Sequence, residues 1–479
     1  MKHFLLKSWC LLLSVVAPSL NATTMQSNDN YKIMVISDPH LLAPSLYDYG
    51  KAAQQLDASD MKLVLNSDLI MQRMVDDIIN AKPQLLLISG DLTFNGERAS
   101  HERLAEHLQR LEQAGIRTLV IPGNHDVMCP YSKQYKGDAP VAVPNVTGEE
   151  FAAIYQNFGY GSDSQRDPNS LSYTCEPISG LVILGIDSNI YGQSDDAQVA
   201  YHTNGAVKPE TLEWIKQQLT QANGKHVIAM MHHHLVEHID GEAKLLPNYI
   251  AANHDEVAQV LREGGVKVVF TGHLHITDAA VGGGITDVST GSASTYPLPV
   301  RTATLDAALI TMNIETRFFE GIDEKTLDKG RAKIEGGSDA LAALISRRLW
   351  DKMSKRLEQY EPLLAEQGID TSRLPRDAKD VAKLISKHLR EPLTQSLLAV
   401  TRGGEDLAQA ASIVDAIKQG VQQMMTEIFG DEGESVADFL LANLMPRVEP
   451  ALRSALEDIN QVGTDIQSST PDHQLTIKL

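Results

Sequence analysis

From Tyr31 to about Glu320 the chain alternates short apolar runs with amphipathic or turn-rich stretches. The runs are KIMVIS, QLLLIS, RTLVIP, LVILGID, HVIAMMH, VKVVFTG and ALITMNI. Most are apolar on both faces, which suits strands covered on both sides in an α/β layered sandwich. Between them the spacing of Leu104, Leu108 and Leu111 predicts a helix over Ser100–Ala114, stopped at Gly115. Beyond about Gly321 the β-branched runs give way to helical periodicity. Ser338 is expected to cap a helix carrying Leu341, Leu344, Ile345, Leu349, Met353, Leu357 and Tyr360 on one face, until Pro362 interrupts it. Further helices are expected over Asp377–Leu389, Glu405–Phe429 and Ser435–Ile459. The expected organisation is thus a layered domain at 31–320, then an all-α domain with a polar tail at 321–479.

Composition changes this picture little, with 43% hydrophobic and 22% charged residues in 479. Charge changes it more. A net charge of −20 disfavours nucleic acid and anionic membranes, so a small anionic substrate needs a local positive centre such as bound metal. Lys2 and Lys7 precede the apolar run WCLLLSVVA, and a small residue follows at Ala22, which reads as a cleavable export signal over 1–22 and a periplasmic or secreted product, with an uncleaved anchor as the alternative. Cys10 lies in that leader. Cys129 and Cys175 remain, as one disulfide or as two buried thiols.

Candidate chemistry sits where the strand runs end. Asp38-Pro39-His40 closes the first, Gly90-Asp91 the second and Gly123-Asn124-His125-Asp126 the third. His232, His233 and His234 follow VIAMM, with His238 further on, and Gly272-His273-Leu274-His275 closes VKVVFTG. On an extended segment Asp38 and His40 would point one way, as would His273 and His275. Thirteen of the sixteen histidines lie between His40 and His275. Carboxylates, imidazoles and one amide oxygen at several strand ends form a mixed N/O donor set. It favours Mn, Fe or Zn, and two such ions sharing a carboxylate could activate water toward a phosphoryl group. Of the three consecutive histidines, His232 stands at the strand tip and is the expected ligand. His233 is a packing neighbour, and His234 shares the face of His232 if the chain stays extended.

The ordered set Asp-X-His, Gly-Asp, Gly-Asn-His-Asp, strand-terminal His and Gly-His-X-His resembles the calcineurin-like metallophosphoesterases, over Asp38 to His275. Loop sequences and domain order look closest to a bacterial cyclic nucleotide phosphodiesterase-like branch with a helical C-terminal domain. The resemblance implies two packed sheets flanked by helices, with one metal held by Asp38, His40, Asp91 and His275. The second would be held by Asp91, Asn124, His232 and His273, with Asp91 bridging. It further implies that His125 assists the leaving group and that Asp126 orients His125. Phe94 stands where purple acid phosphatases carry a tyrosine, which sets that branch aside. The segment Leu41–Met71 is long for a connection, and is either a lid over the site or an ordered surface excursion.

The expected function is an exported dinuclear-metal phosphodiesterase acting on cyclic nucleotides by attack of a bridging hydroxide on phosphorus. The alternatives are a phosphomonoesterase or nucleotidase using the same metals, and a non-catalytic binding protein on a phosphoesterase fold. A small phosphoester is the expected partner, without nucleic acid or a stable membrane anchor.

Overall fold

The computed structural model describes residues 30–191, 203–366, 370–403, 407–456 and 474–479. The expected leader, 1–22, lies outside them. No described helix is long and apolar enough to cross a membrane.

Strand β1 (Tyr31–Ile36) is followed by α1 (Lys51–Ser59) and α2 (Ser67–Ala81), then β2 (Leu85–Ile88), α3 (Arg98–Gln113) and β3 (Arg117–Val120). β1, β2 and β3 are parallel neighbours. A short hairpin, β4 (Lys133–Gln134) with β5 (Val141–Ala142), and α4 (Gly148–Ile154) lead to the second sheet. Its members are β6 (Ser164–Arg166), β7 (Tyr173–Ile178), β8 (Leu181–Ile186), β9 (His226–Met231), β10 (Val268–Thr271), β11 (Asp278–Gly282) and β12 (Ile285–Ser289). Helices α5 (Pro209–Gln221), α6 (Glu242–Leu245) and α7 (His254–Glu263) lie between them in sequence. The chain then returns to the first sheet with β13 (Pro299–Leu305) and β14 (Thr311–Phe318). The second sheet runs β11-β12-β10-β9-β8-β7-β6, with β8, β9, β10 and β12 parallel.

Alternation explains the layers. Leu181, Ile183, Ile228, Met230 and Phe270 join the main core shared with the first sheet. Their neighbours Val182, Leu184, Val227, Ala229 and Val269 belong to a second core with Leu212 and Ile215 of α5 and Val257 and Leu261 of α7. Successive strand residues therefore bury opposite faces, and both faces are covered. On the outer side of the first sheet, Leu104, Leu108 and Leu111 of α3 face the main core with Ile70, Met74 and Ile78 of α2. The α3 helix spans nearly the segment its spacing predicts.

The helical region comprises α8 (Glu324–Glu366), α9 (Ala378–Arg402), α10 (Leu407–Phe429) and α11 (Gly433–Leu456). Two expectations fail in α8. Ser338 is no cap, because its Oγ donates to the Glu335 carbonyl from within the helix at 2.6 Å. Pro362 does not end the helix, which continues to Glu366. A proline four residues from a helix end removes only one ladder donor close to carbonyls that are unpaired anyway. In α9 Asp377 accepts from the amides of Lys379 and Asp380, as a cap should, but the helix runs past Leu389 and through Pro392 to Arg402. The expected helix starting at Glu405 begins in undescribed residues, as does much of the tail. The end of that tail is not a loose polar segment: β15 (Gln474–Lys478) pairs antiparallel with β14 and extends the first sheet to β15-β14-β13-β1-β2-β3. Cys129 and Cys175 are buried, free thiols.

Candidate metal centre

The carboxyl ends of β1, β2, β3, β9 and β10 converge, and each delivers residues expected from the sequence. Asp38, His40, Asp91 and His275 bring one donor atom each to a common point. Asp91, His232 and His273 do so beside it. Asp91 faces both: Oδ2 lies 3.5 Å from His40 Nε2, and Oδ1 lies 3.3 Å from His232 Nε2. Asn124 joins the second group through Oδ1, 3.1 Å from His232 Nε2.

Convergence does not come from strand alternation. Asp38, His40, Asp91, His273 and His275 all have positive φ, between 40° and 70°. Left-handed backbone is costly for such residues and persists where surrounding structure holds it, often at functional sites. The expectation that His273 and His275 point the same way is therefore wrong. The turn sends His275 to the first group and His273 to the second. Gly123 and Gly272 serve by leaving room. A Cβ on Gly123 would sit 2.2 Å from Asp91 Oδ1, and one on Gly272 would sit 2.4 Å from Asp38 Oδ2.

The donor set fits a pair of metal ions by its hydrogen-bond bookkeeping. His232 Nδ1 lies 2.9 Å from the Ser89 carbonyl, which can only accept, so Nδ1 carries the proton. Nε2 then presents a lone pair to two oxygens that are also acceptors, Asn124 Oδ1 and Asp91 Oδ1. A bound metal ion, or in its absence a proton on Nε2, reconciles them. Burial disfavours a charged imidazole here, yet the negative charges of Asp91 and Asp38 and the hydrogen bonds around the ring push His232 up to about 9. A proton is thus drawn to the place a metal would take. In the first group His40 Nε2 and His275 Nε2 face each other at 3.1 Å, and His275 Nε2 lies 3.2 Å from Asp38 Oδ1. Burial, followed by the charge of Lys62, holds His40 well below its ordinary value, which leaves a neutral ring suited to metal. Burial works against ionisation of Asp91, but its interactions with the surrounding imidazoles, His232 foremost, outweigh it and hold Asp91 well below the usual range. His273 Nε2 meets the carbonyls of Thr203 and Asn248 at 2.9 and 3.1 Å, so it donates and leaves Nδ1 for an ion.

The other histidines of the run after β9, and His238, are engaged by protein. His233 bonds the Ser188 hydroxyl and the Thr203 carbonyl, and burial lowers it to about 3. His234 lies between Glu242 and Ser289, and His238 Nδ1 is 2.6 Å from Asp278 Oδ2.

Asp126 does not orient His125. Its carboxylate accepts from the amides of Leu92, Thr93 and Gly123 and from the Thr93 hydroxyl, tying the loop after β3 to the loop after β2. Burial and the charge of Asp91 push its carboxyl up to about 7 against these donors. The acceptor at His125 Nδ1 is Asn95 Oδ1, at 2.9 Å. His125 Nε2 therefore faces the centre, 4.0 Å from Asp91 Oδ2, with 31% of the side chain exposed.

Sequence reasoning missed Asn95, which follows Gly-Asp by four residues and resembles any turn asparagine. It also missed Lys62, which lines the cavity over the centre together with Met61 and Tyr249. The segment Leu41–Met71 is ordered and also reaches over the site through Ser59, Asp60, Met61 and Lys62. Lys62 is the one lysine or arginine among the described lining residues. Phe94 packs on Tyr135 and lies outside the donor groups.

A family model for calcineurin-like phosphoesterases matches residues 31–277. A cAMP/cGMP dual specificity phosphodiesterase of Mycobacterium tuberculosis is 24% identical over 268 residues, 56% of this chain and 68% of the relative. A probable glycerophosphodiester phosphodiesterase of Arcobacter nitrofigilis is also 24% identical, over 43% of this chain and 60% of its own. A crystal structure of a dimetal phosphatase from Danio rerio aligns with a TM-score of 0.43 at 16% identity, covering 62% of this chain and 98% of that one.

Proposed function

The chain belongs to the calcineurin-like phosphoesterase family, whose members are metal-dependent phosphoric ester hydrolases, and from that premise we propose that it is an exported phosphodiesterase acting on cyclic nucleotides. One observation carries the hydrolytic part: two adjacent donor groups share Asp91, and their buried carboxylate, amide and imidazole donor atoms converge as the ligands of two neighbouring cations would. Asp38, His40, Asp91 and His275 would hold one ion, and Asp91, Asn124, His232 and His273 the other. When bound, the ions supply Lewis-acid charge to the phosphoryl oxygens and a nucleophile at neutral pH. Their identity among Mn, Fe and Zn rests on the donor set alone. The chain's own work is positional. Asn95 holds His125 so that its Nε2, when protonated, delivers a proton to the departing oxygen, and Asp126 keeps the loop bearing Asn124 and His125 in register. Preference for a cyclic diester is supported by the relatives' names, and export by Lys2, Lys7 and the apolar run before Ala22.

The test is a comparison of rates on a cyclic nucleotide and on its monophosphate, with metal content measured on the same protein. Faster release of phosphate from the monophosphate would replace the diesterase reading by the phosphatase one. Asp91→Asn should abolish turnover and lower bound metal, and His125→Ala should cost about 10²- to 10⁴-fold in kcat with metal retained. Full activity in either variant would remove the catalytic assignment of that residue, and absence of turnover in the metal-loaded native protein would leave the non-catalytic reading. N-terminal sequencing of protein from the cell envelope and medium tests cleavage near Ala22.

A further inference from the structure

The cavity over the metal centre has a volume of about 680 Å³. That lies within the range of about 300 to 1,000 Å³ that takes a whole small organic ligand rather than a phosphate alone. Its two ends differ in chemistry. One is lined by His40, Asp91, Asn124 and His125. The other is built by α8 and α9, which contribute Ile334, Gly337, Leu341, Leu397 and Val400, with no charged side chain among their lining residues. Tyr249 also lines the cavity, its ring 4.8 Å from that of His273.

This helical wall is held in place. Lys333 on α8 donates to the carbonyls of Asp57 and Asp60, and its ammonium lies 3.2 Å from Asp57 Oδ1. It thereby fixes the stretch that presents Met61 and Lys62. Gly337 passes so close to that stretch that a Cβ would lie 2.3 Å from Met61 Sδ. Arg331 and Arg402, from α8 and α9, both lie over the ring of Tyr296, and the Thr401 carbonyl accepts from Thr277 Oγ1 at 3.1 Å. The wall therefore stands at a set distance from the donor groups.

We propose that α8 and α9 form the specificity subsite of the enzyme, and that it takes an uncharged ring system carried by the phosphoester. The inference rests on the phosphoesterase reading in one respect: phosphorus is placed at the polar end. The organic part must then lie along Leu341, Leu397 and Val400. Transfer of a ring from water to such a wall is favourable, whereas a polyol would lose its hydration against carbons that return no hydrogen bonds. A second phosphate on the organic group would find no cation among the residues with which the helices line the cavity, Lys62 being the one lysine or arginine of the described lining. Tyr249 offers an aromatic face of the kind on which planar rings stack.

Leu397→Asp places a charge in the wall, and Leu341→Ala shortens it without one. On the full-length, metal-loaded protein, kcat/KM is measured for adenosine 3′,5′-cyclic phosphate and for glycerophosphoglycerol, a diester of two polyols. Leu397→Asp should lower kcat/KM for the cyclic nucleotide at least tenfold, mainly through KM, and leave the polyol diester within a factor of two. Leu341→Ala should act in the same direction more weakly. Equal losses on both substrates, or none, would overturn the subsite. Binding of the adenosine cyclic phosphorothioate by calorimetry separates this inference from the diesterase reading. If the protein hydrolyses neither diester yet the analogue binds and Leu397→Asp weakens it tenfold, the reaction is misassigned and the subsite stands. Analogue affinity that is absent, or unchanged by Leu397→Asp, overturns the subsite.

Discussion

The amide that Asn95 offers to His125 decides which imidazole nitrogen faces the cavity. With Nδ1 donating to Asn95 Oδ1, Nε2 is free for the reacting atoms. Asn95→Ala should lower kcat by about 10- to 100-fold with little change in KM, whereas Asn95→Asp, which keeps an acceptor, should retain most activity. Equal damage from both substitutions would reduce Asn95 to a turn residue. Two residues on, Glu97 is buried, accepts from the Asn95 amide at 3.1 Å, and has no partner for Oε1. Burial pushes its carboxyl up to about 7 from an ordinary 4.5. The folded state thus holds a proton that the unfolded chain releases at lower pH. Stability is unaffected below about 4.5, falls as pH rises toward about 7, and stays reduced above that. Glu97→Gln should raise the Tm at pH 8 by the equivalent of up to about 3 kcal/mol and change it much less at pH 5. Thermal melts at both values check this, and the same gain at each would remove ionisation as the cause.

The loops after β1, β2 and β10 are where expectation and structure part. Asp38, His40, Asp91, His273 and His275 were legible as a set because residue types and strand-end placement sufficed to find them. Their directions were not, because they follow from left-handed turns imposed by the packing of one loop on another. The amide of His273, for example, donates to Asp38 Oδ2 at 3.1 Å across 235 residues of chain. The C-terminal strand was hidden for a related reason. QLTIK alternates as a strand should, but five residues at the end of a polar tail give no sign of a partner. β14 supplies that partner, with Ile477 opposite Met312 and buried in the main core. Ile477→Asp should destabilise the protein by about 2 kcal/mol or more and expose the edge of β14. Lower thermal stability together with increased light scattering is the expected result.

For the molecule as a whole, an acidic chain gathers its histidines around two points where acceptors face acceptors, so bound ions should also stabilise the fold. Chelation followed by gel filtration should lower the Tm by several degrees, corresponding to about 3 to 4 kcal/mol for ions held at 100 to 1,000 times their Kd. Adding back Mn or Zn should restore it, and Asp91→Asn should show little response; a Tm indifferent to chelation in the native protein would argue against resident metal. Apolar runs of both-face character, the strand-end motifs and the change to helical period near Gly321 pointed by themselves to the layered α/β class, the helical region and the candidate donor residues. These are properties of local pattern, set by strand and helix periods and by side-chain chemistry, while the division of those residues between two ions came from the family resemblance. Only the tertiary structure decided that Asp126 ties loops while Asn95 holds His125, that Pro362 and Pro392 lie inside helices, and that α8 and α9 wall the cavity. Each depends on contacts between residues far apart in the chain, whose hydrogen bonds and burial exist only once the layers have packed.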